Sequence, residues 1–368
     1  MNLLKRLFKG KEEPVNSYHD FWQWFVGQEK KFFNAVRQQN NIERDFFNKL
    51  SPKLGELKDG FYYLTGMLDD NTVELILTAD GNIENLVFVE ELVSSAPEIA
   101  GWKFTAHKPE MDIRSTSIRM DKYVFDSDTL WFYSNDNPLY PDEIDITIVH
   151  KDFNETDNAS IINGVYLFLD NYLGEVKSVT TIDSVKVVGK SDARRELVPI
   201  EKLKSFLDWR EKEFVEKYHG VVKDTHDMKH SILEAETSGG ARVIAAINTD
   251  ILKWENKASH SWILRIDIPY DGSKNGGLPA EEFNQALWNL EEAIAAQLKA
   301  EDGHILIGHE SVESLRSIYF ACRDFRKPSK VVYQLSLDEP DWKIEYRIYK
   351  DKYWQSFNRY NVDLLSPD

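Results

Sequence analysis

The sequence predicts an α+β protein of two domains, and three observations carry that reading. Short runs such as WILRIDI (262–268) and WKIEYRIY (342–349) alternate apolar and polar residues, the period-2 pattern of half-buried strands. Longer stretches, 18–54 and 283–298 among them, repeat their apolar residues at helical spacing. Between two such sets lies a looser, Gly- and Ser-containing region at 191–240, the composition of a domain boundary. The expected organisation is a basic and apolar tail (1–16), a mixed α+β sheet domain with N-terminal helices (17–190), a linker carrying a helix at 200–218 (191–240), and a C-terminal domain (241–368).

In the first domain Phe21, Phe25, Phe32 and Val36 mark one helix, and Phe46, Phe47, Leu50 and Leu54 a second, with Ser51-Pro52 as a break. FYYLTGM (61–67) and VELILTA (73–79) read as a hairpin turning at Asp69-Asp70-Asn71. Asn82 is placed to cap a helix bearing Leu86, Val89 and Val93, which Pro97 ends. WKFTA (102–106), YVF (123–125), LWFY (130–133) and IDITIV (144–149) are further strands. A helix at 156–173 runs to Gly174, and VKSVTTIDSVKVV (176–188) reads as a returning strand. The strand-helix-strand units 73–106 and 144–188 echo each other loosely, VELILTADG against IDITIVHKD, a hint of pseudo-duplication.

The C-terminal pattern is sharper. After WILRIDI, the turn DGSKNGG leads to Pro279 in a first helical turn, then Glu281 and Glu282. Phe283, Leu287, Leu290, Ile294 and Leu298 form the helix stripe, and Gly303 stops it. HILIG (304–308) and SIYFACR (317–323) make a central hairpin, Pro328 opens a helix with Val332 and Leu335, and WKIEYRIY closes the sheet. A sheet with both helices on one face satisfies each apolar surface, so the expected form is a ferredoxin-like βαββαβ two-layer sandwich.

Three stretches of this region, GLPAEEFNQALWNLEEAI (277–294), GHILIGHESVESLRSIYFACRD (303–324) and YRIYKDKYWQSFNRY (346–360), carry a family resemblance. With a helix opening after Gly-Leu-Pro, a Gly-bearing strand answered by an Arg-plus-aromatic strand, and a closing Asp-x-x-Trp, the segment resembles the bacterial domain-of-unknown-function family 695. The turn at 309–316 departs from the family's usual Thr/Gly-containing form. The resemblance implies a fold and no established activity. As a fold alone, the segment is also similar to a small acidic inhibitor of bacterial ribonuclease E.

Bulk chemistry narrows the function classes. The 368 residues carry a formal charge of −17, with 62 acidic against 45 basic side chains, which argues against nucleic acid as the main partner. A protein partner, if present, is expected to be basic. Cys322 is the only cysteine, so an intramolecular disulfide and a Cys-rich zinc site are excluded, consistent with a reducing cytoplasm. No apolar run reaches the ~20 residues needed to span a bilayer. Leu3, Leu4, Leu7 and Phe8 share a helical face among Lys5, Arg6 and Lys9, so residues 1–9 offer a peripheral membrane contact, set against a loosely held tail.

Specific chemistry is sparse. His226 and His230 are four apart, a helical spacing metals accept, with His219 as a third ligand, but Asp227 stands where a zincin has Glu. The competing reading is a polar loop. Cys322 beside His304 or His309 suggests a thiol nucleophile, yet alternation places it inward with Ile318 and Phe320. The glycines Gly272, Gly276 and Gly277 lack phosphate-binding spacing, and Glu281 and Glu282 would repel an anion there. The acid pairs Glu90-Glu91, Glu211/Glu213 and Glu291-Glu292 read as solvated helix faces. No cofactor motif is present and none is expected. Arg316, Tyr319 and Tyr349 are the candidate binding surface on the open sheet face; the bland reading is that residues 228–260 or the first domain cover them. The function expected is thus a bacterial cytosolic interaction or regulatory protein without catalysis. A metal-dependent hydrolase built on the 219–230 histidines and a membrane-peripheral module are the alternatives.

Overall fold

The computed structural model describes residues 14–225 and 230–360. The amphipathic segment 1–9 and the metal candidate His226 lie outside those residues. The protein is a mixed α+β structure, with four sheets among the described residues. It divides into two compact units, Met1–Glu110 with Gly174–Val176 and Met111–Leu173 with Lys177–Asp368.

In the first unit, Ser17 accepts a hydrogen bond from the Asp20 amide and so starts α1 (Tyr18–Gln38). A π-helical turn, Glu43–Phe47, runs straight into α2 (Asn48–Leu57), so Ser51-Pro52 does not break the helix as expected. Pro52 removes one amide donor from α2 without ending it. Strands β1 (Tyr62–Asp69) and β2 (Thr72–Thr78) are antiparallel. The helix α3 (Ile83–Ser94), capped by Asn82, then leads to β3 (Trp102–Ala106), parallel to β2. The aromatic face of α1 packs on this sheet, with Trp22 and Phe104 ring centroids 4.5 Å apart and Phe25 and Trp102 4.9 Å apart.

The second unit begins with a short hairpin, β4 (Ile118–Met120) and β5 (Tyr123–Phe125). Next come β6 (Leu130–Ser134), β7 (Asp145–His150), α4 (Asn158–Leu173) and α5 (Glu175–Thr181), whose first two residues belong to the first unit. Then β8 (Ser184–Gly189), β9 (Val198–Pro199) and α6 (Leu203–Tyr218) follow. The sheet order is β8-β7-β6-β9, with α4 and α6 supplying Val165, Phe168, Leu203 and Leu207 to its core. The strand expected over 176–188 is therefore half helix. Its β-branched run misled the reading, because Gly174 at φ 79 ends α4 and lets a new helix start at once.

The C-terminal part holds β10 (Ser231–Glu236), β11 (Arg242–Ile247), β12 (Trp262–Pro269), α7 (Glu281–Gln297) and β13 (His304–Val312). It ends with β14 (Leu315–Cys322), α8 (Arg326–Asp338) and β15 (Glu345–Lys350). Every neighbour in the order β10-β11-β13-β14-β12-β15 is antiparallel. Two of these strands were not expected: the stretch 219–240, read as loose, contains β10. Pro279 stands before the N-cap Ala280 rather than in the helix, and Phe283 is exposed, so the buried stripe of α7 starts at Leu287.

Tight geometry pins this sheet. Glu313 and Ser314, at φ 48 and 66, form the two-residue turn between the paired Val312 and Leu315, and both left-handed residues match the twist of the strands. At the bulge in β13, Gly308 has φ 136, and a Cβ there would lie 2.1 Å from the Ala246 carbonyl oxygen of β11.

Candidate functional site

The sequence candidates divide between the two faces of the six-stranded sheet. Arg316 and Tyr319 are three residues apart on β14, so strand alternation sends them to opposite sides. Both are buried, at 3 % and 2 % exposure, and the expected open patch with Tyr349 does not form. Tyr319 sits under a cover made by Ile251, Leu252, Trp354, Phe357 and Tyr360. Its hydroxyl donates to Glu310 Oε1 (2.7 Å) and receives Arg359 Nη2 (3.1 Å). Tyr349, half-buried against the same cluster, donates to Ser356 Oγ. The cover comes partly from within 228–260, the bland reading, and partly from the turn Gln355–Tyr360.

On the other face, beneath α7, Arg316 donates from Nε to Ser311 Oγ (2.6 Å) and from Nη2 to Asn284 Oδ1 (2.7 Å). Burial lowers the pKa of this guanidinium, and the nearby Glu291 carboxylate opposes that shift. Glu291 in turn meets His309 Nδ1 at 2.6 Å. Sequence reasoning missed this cluster, because Glu291 was read with Glu292 as a solvated pair. Adjacent helix positions diverge by about 100°, so only Glu292 faces out while Glu291 joins Leu287, Leu290 and Ile294 on the buried stripe. Its spacing from those three residues was the available signal.

Residues 237–360 match a family of unknown function, DUF695. The match begins just after β10 and includes both faces of the sheet. No characterised protein and no solved structure matches the chain. The motif residues of the DUF695 segment have structural duties. Gly277 offers its carbonyl to Ser314 N and Tyr270 Oη, Gly308 admits β11, and Asp351 accepts the Gln355 and Ser356 amides. Trp354 is buried, its indole N–H bonded to the His260 carbonyl. These are requirements of a fold, and they leave function to be sought elsewhere on the molecule.

The thiol and metal candidates can be placed in the same way. Cys322 and His304 are direct cross-strand partners and both are buried. Burial pushes the Cys322 thiol far up and pulls His304 down to about 4, the opposite of an activated pair. His219 and His230 are exposed, and among the described residues no three His, Cys, Asp or Glu side chains are grouped to hold a metal. No helix among the described residues is long and apolar enough to cross a membrane.

Concave surfaces of the second unit offer other places to look, and two are lined by the elements around the four-stranded sheet and α6. One, about 840 Å³, lies over the four-stranded sheet. The other, about 460 Å³, runs beside α6 and is lined by Pro141, Trp209, Glu213, Phe214 and Glu216. Asp142 accepts Lys217, Tyr218 and Tyr353, and Arg210 donates to the carbonyls of Pro141 and Glu143. The cations of the α6 cleft are therefore already occupied. Trp209 stands 54 % exposed at its edge, and Val215 on the same helix is also exposed.

Proposed function

We propose that the protein is a non-catalytic bacterial cytosolic interaction or regulatory protein that holds a basic segment of a partner protein against α6. The exposed Trp209 carries this reading. Trp is the side chain most favoured at binding hot spots, and its ring attracts Lys or Arg. Glu213, at the same cleft, has no ion-pair partner among the described residues, whereas Lys217 and Arg210 are held by Asp142 and backbone carbonyls. The overall charge of −17 favours the same kind of partner.

The DUF695 segment serves in this proposal as a scaffold. We read its core as a ferredoxin-like unit enlarged by β10 and β11, since β13-β14-β12-β15 is the spatial order that a βαββαβ chain adopts. The test is titration of the full chain with a Lys/Arg-rich peptide, followed by calorimetry. Binding should weaken about tenfold or more in Trp209→Ala and in Glu213→Lys, and should fall as salt is added. Binding that survives both substitutions, or an acidic peptide that binds equally well, would reject the assignment.

A further inference from the structure

The sheet β8-β7-β6-β9 has two unequal faces. Phe132, Ile146 and Ile148 belong to the core that α4 and α6 complete. The reverse face carries only a small apolar cluster, Tyr133, Val149 and Val188, partly covered by Ala193 and Leu197 from the chain between β8 and β9. The cover is incomplete and leaves the 840 Å³ groove. That volume is within the ~300–1,000 Å³ that small-molecule sites occupy.

The charges around this groove depart from those of the molecule. Lys186 on β8, Arg194 and Arg195 line it together with Glu155 and Asp192, in a chain of net charge −17. Arg195 is paired with Asp136 at 3.3 Å, and the neighbouring Lys190 is spent on the Trp131 ring, 3.8 Å from its centroid. Lys186 and Arg194 have no ion-pair partner among the described residues, although an acidic protein supplies carboxylates freely. The floor is built rather than accidental. Thr147 is buried, and the Asn135 amide donates to both Thr147 Oγ1 (2.9 Å) and Asp145 Oδ1 (3.0 Å). Tyr133, Phe153 and Ile162 give one stretch of the lining an apolar character.

We propose that this groove binds a small organic anion, its phosphate or carboxylate held by Lys186 and Arg194 and its flat apolar body laid along Tyr133 and Phe153. Arginine and lysine bind such headgroups through charge-assisted hydrogen bonds, and arginine can do so in bidentate fashion. Glu155 and Asp192 set an upper limit on the ligand's charge, because a polyanion reaching along the groove would meet both. The site is separate from the α6 cleft and stands or falls without it.

The experiment is calorimetric titration of the full chain with four probes: adenosine 5′-monophosphate, indole-3-acetate, adenosine and inorganic phosphate. At least one of the two anions with a ring should bind, and which one distinguishes a phosphate from a carboxylate ligand. Lys186→Glu with Arg194→Glu should weaken that binding about a hundredfold, one tenfold step for each lost charge-assisted contact. Lys212→Glu on α6 should change nothing. Both cations are exposed, so the double variant should fold, and circular dichroism with an unchanged melting temperature checks this. Binding of adenosine or phosphate alone as tight as that of the ringed anions, binding unaffected by the charge reversal, or no binding of either ringed anion would overturn the proposal.

Discussion

His309 on β13 brings Nδ1 to 2.6 Å from Oε2 of Glu291 on α7, with each side chain only 7 % exposed. The same carboxylate is the charge that offsets burial of the Arg316 guanidinium. One carboxylate thus lies between a helix and a sheet, against the His309 ring and near the Arg316 guanidinium, where water cannot replace it. Buried charges of this kind are costly to assemble and costlier to leave unmatched.

Glu291→Ala should therefore destabilise the second unit by about 3 kcal/mol, through the uncompensated Arg316 and the unpaired His309 rather than through lost volume. Glu291→Gln, which keeps the shape and a hydrogen-bonding oxygen, should cost clearly less. Urea unfolding followed by Trp fluorescence measures both. An alanine variant within 1 kcal/mol of the wild type, roughly the size of an ordinary surface effect, would contradict this account.

Acid should weaken the DUF695 segment before its carboxylates titrate. Burial holds His260 down to about 3 and His304 to about 4. Between the ordinary value near 6.5 and those values, the unfolded chain takes up protons that the native state refuses, so stability falls as the pH drops below about 6.5. Each imidazole contributes a slope of about 1.4 kcal/mol per pH unit in that window. His304→Gln should flatten the slope of unfolding free energy against pH between about 6 and 4 by up to that amount. An unchanged slope would show that His304 charges in the native state.

Glu175 is the corresponding group in the first unit. Burial raises its pKa, but the His107 ring 3.7 Å away and hydrogen bonds from Thr78 and the Gly81 and Lys108 amides outweigh that and hold it at about 2. Its contribution is therefore complete above the unfolded value of about 4.5 and is lost as pH falls toward 2. Glu175→Ala should orphan the amides of Ala79, Gly81 and Lys108 at about 1–3 kcal/mol each before any rearrangement. Hydrogen exchange should speed up at these three amides more than at the β1–β2 ladder; equal protection in the variant would argue against the role.

Cys322 should be silent toward a thiol reagent in the native protein and react fully once urea unfolds it, because a buried thiol with a raised pKa presents neither access nor thiolate. Reaction of the folded protein at a rate near that of a free thiol would revive the nucleophile reading.

Gly308→Ala should open the sheet at the β11 edge. The new methyl would meet the Ala246 carbonyl oxygen and the backbone would be held at a φ that side chains rarely adopt, so a loss of about 3 kcal/mol or more is expected. Thermal melting read beside Gly303→Ala, where a Cβ would meet only the Arg323 side chain, separates the clash from the glycine conformation both sites share.

Much of the local structure was legible in the sequence. Alternation placed β12, β14 and β15, Asn82 capped its helix, and the inward turn of Cys322 followed from its spacing to Ile318 and Phe320. These depend on neighbours a few residues away, which periodicity reports. The misreading of 176–181 as strand came from β-branched residues whose preference was weaker than the helix start after Gly174. The candidate surface failed for a different reason. Whether Tyr319 faces water depends on residues 354–360, some forty positions along the chain, and no local pattern encodes that approach.

By itself, then, the sequence determined the α+β class, the inert thiol, the acidic charge and the strands of the DUF695 segment, because each follows from composition or short-range spacing. Only the tertiary structure decided that two more strands extend that sheet, that Arg316 and Tyr319 are separated by it, and that Glu291 turns inward against the His309 ring and near the Arg316 guanidinium. It alone left Lys186 and Arg194 unpaired beside an open groove. Those outcomes depend on which distant elements pack together, and packing is settled by the whole chain's burial of apolar surface rather than by any one segment.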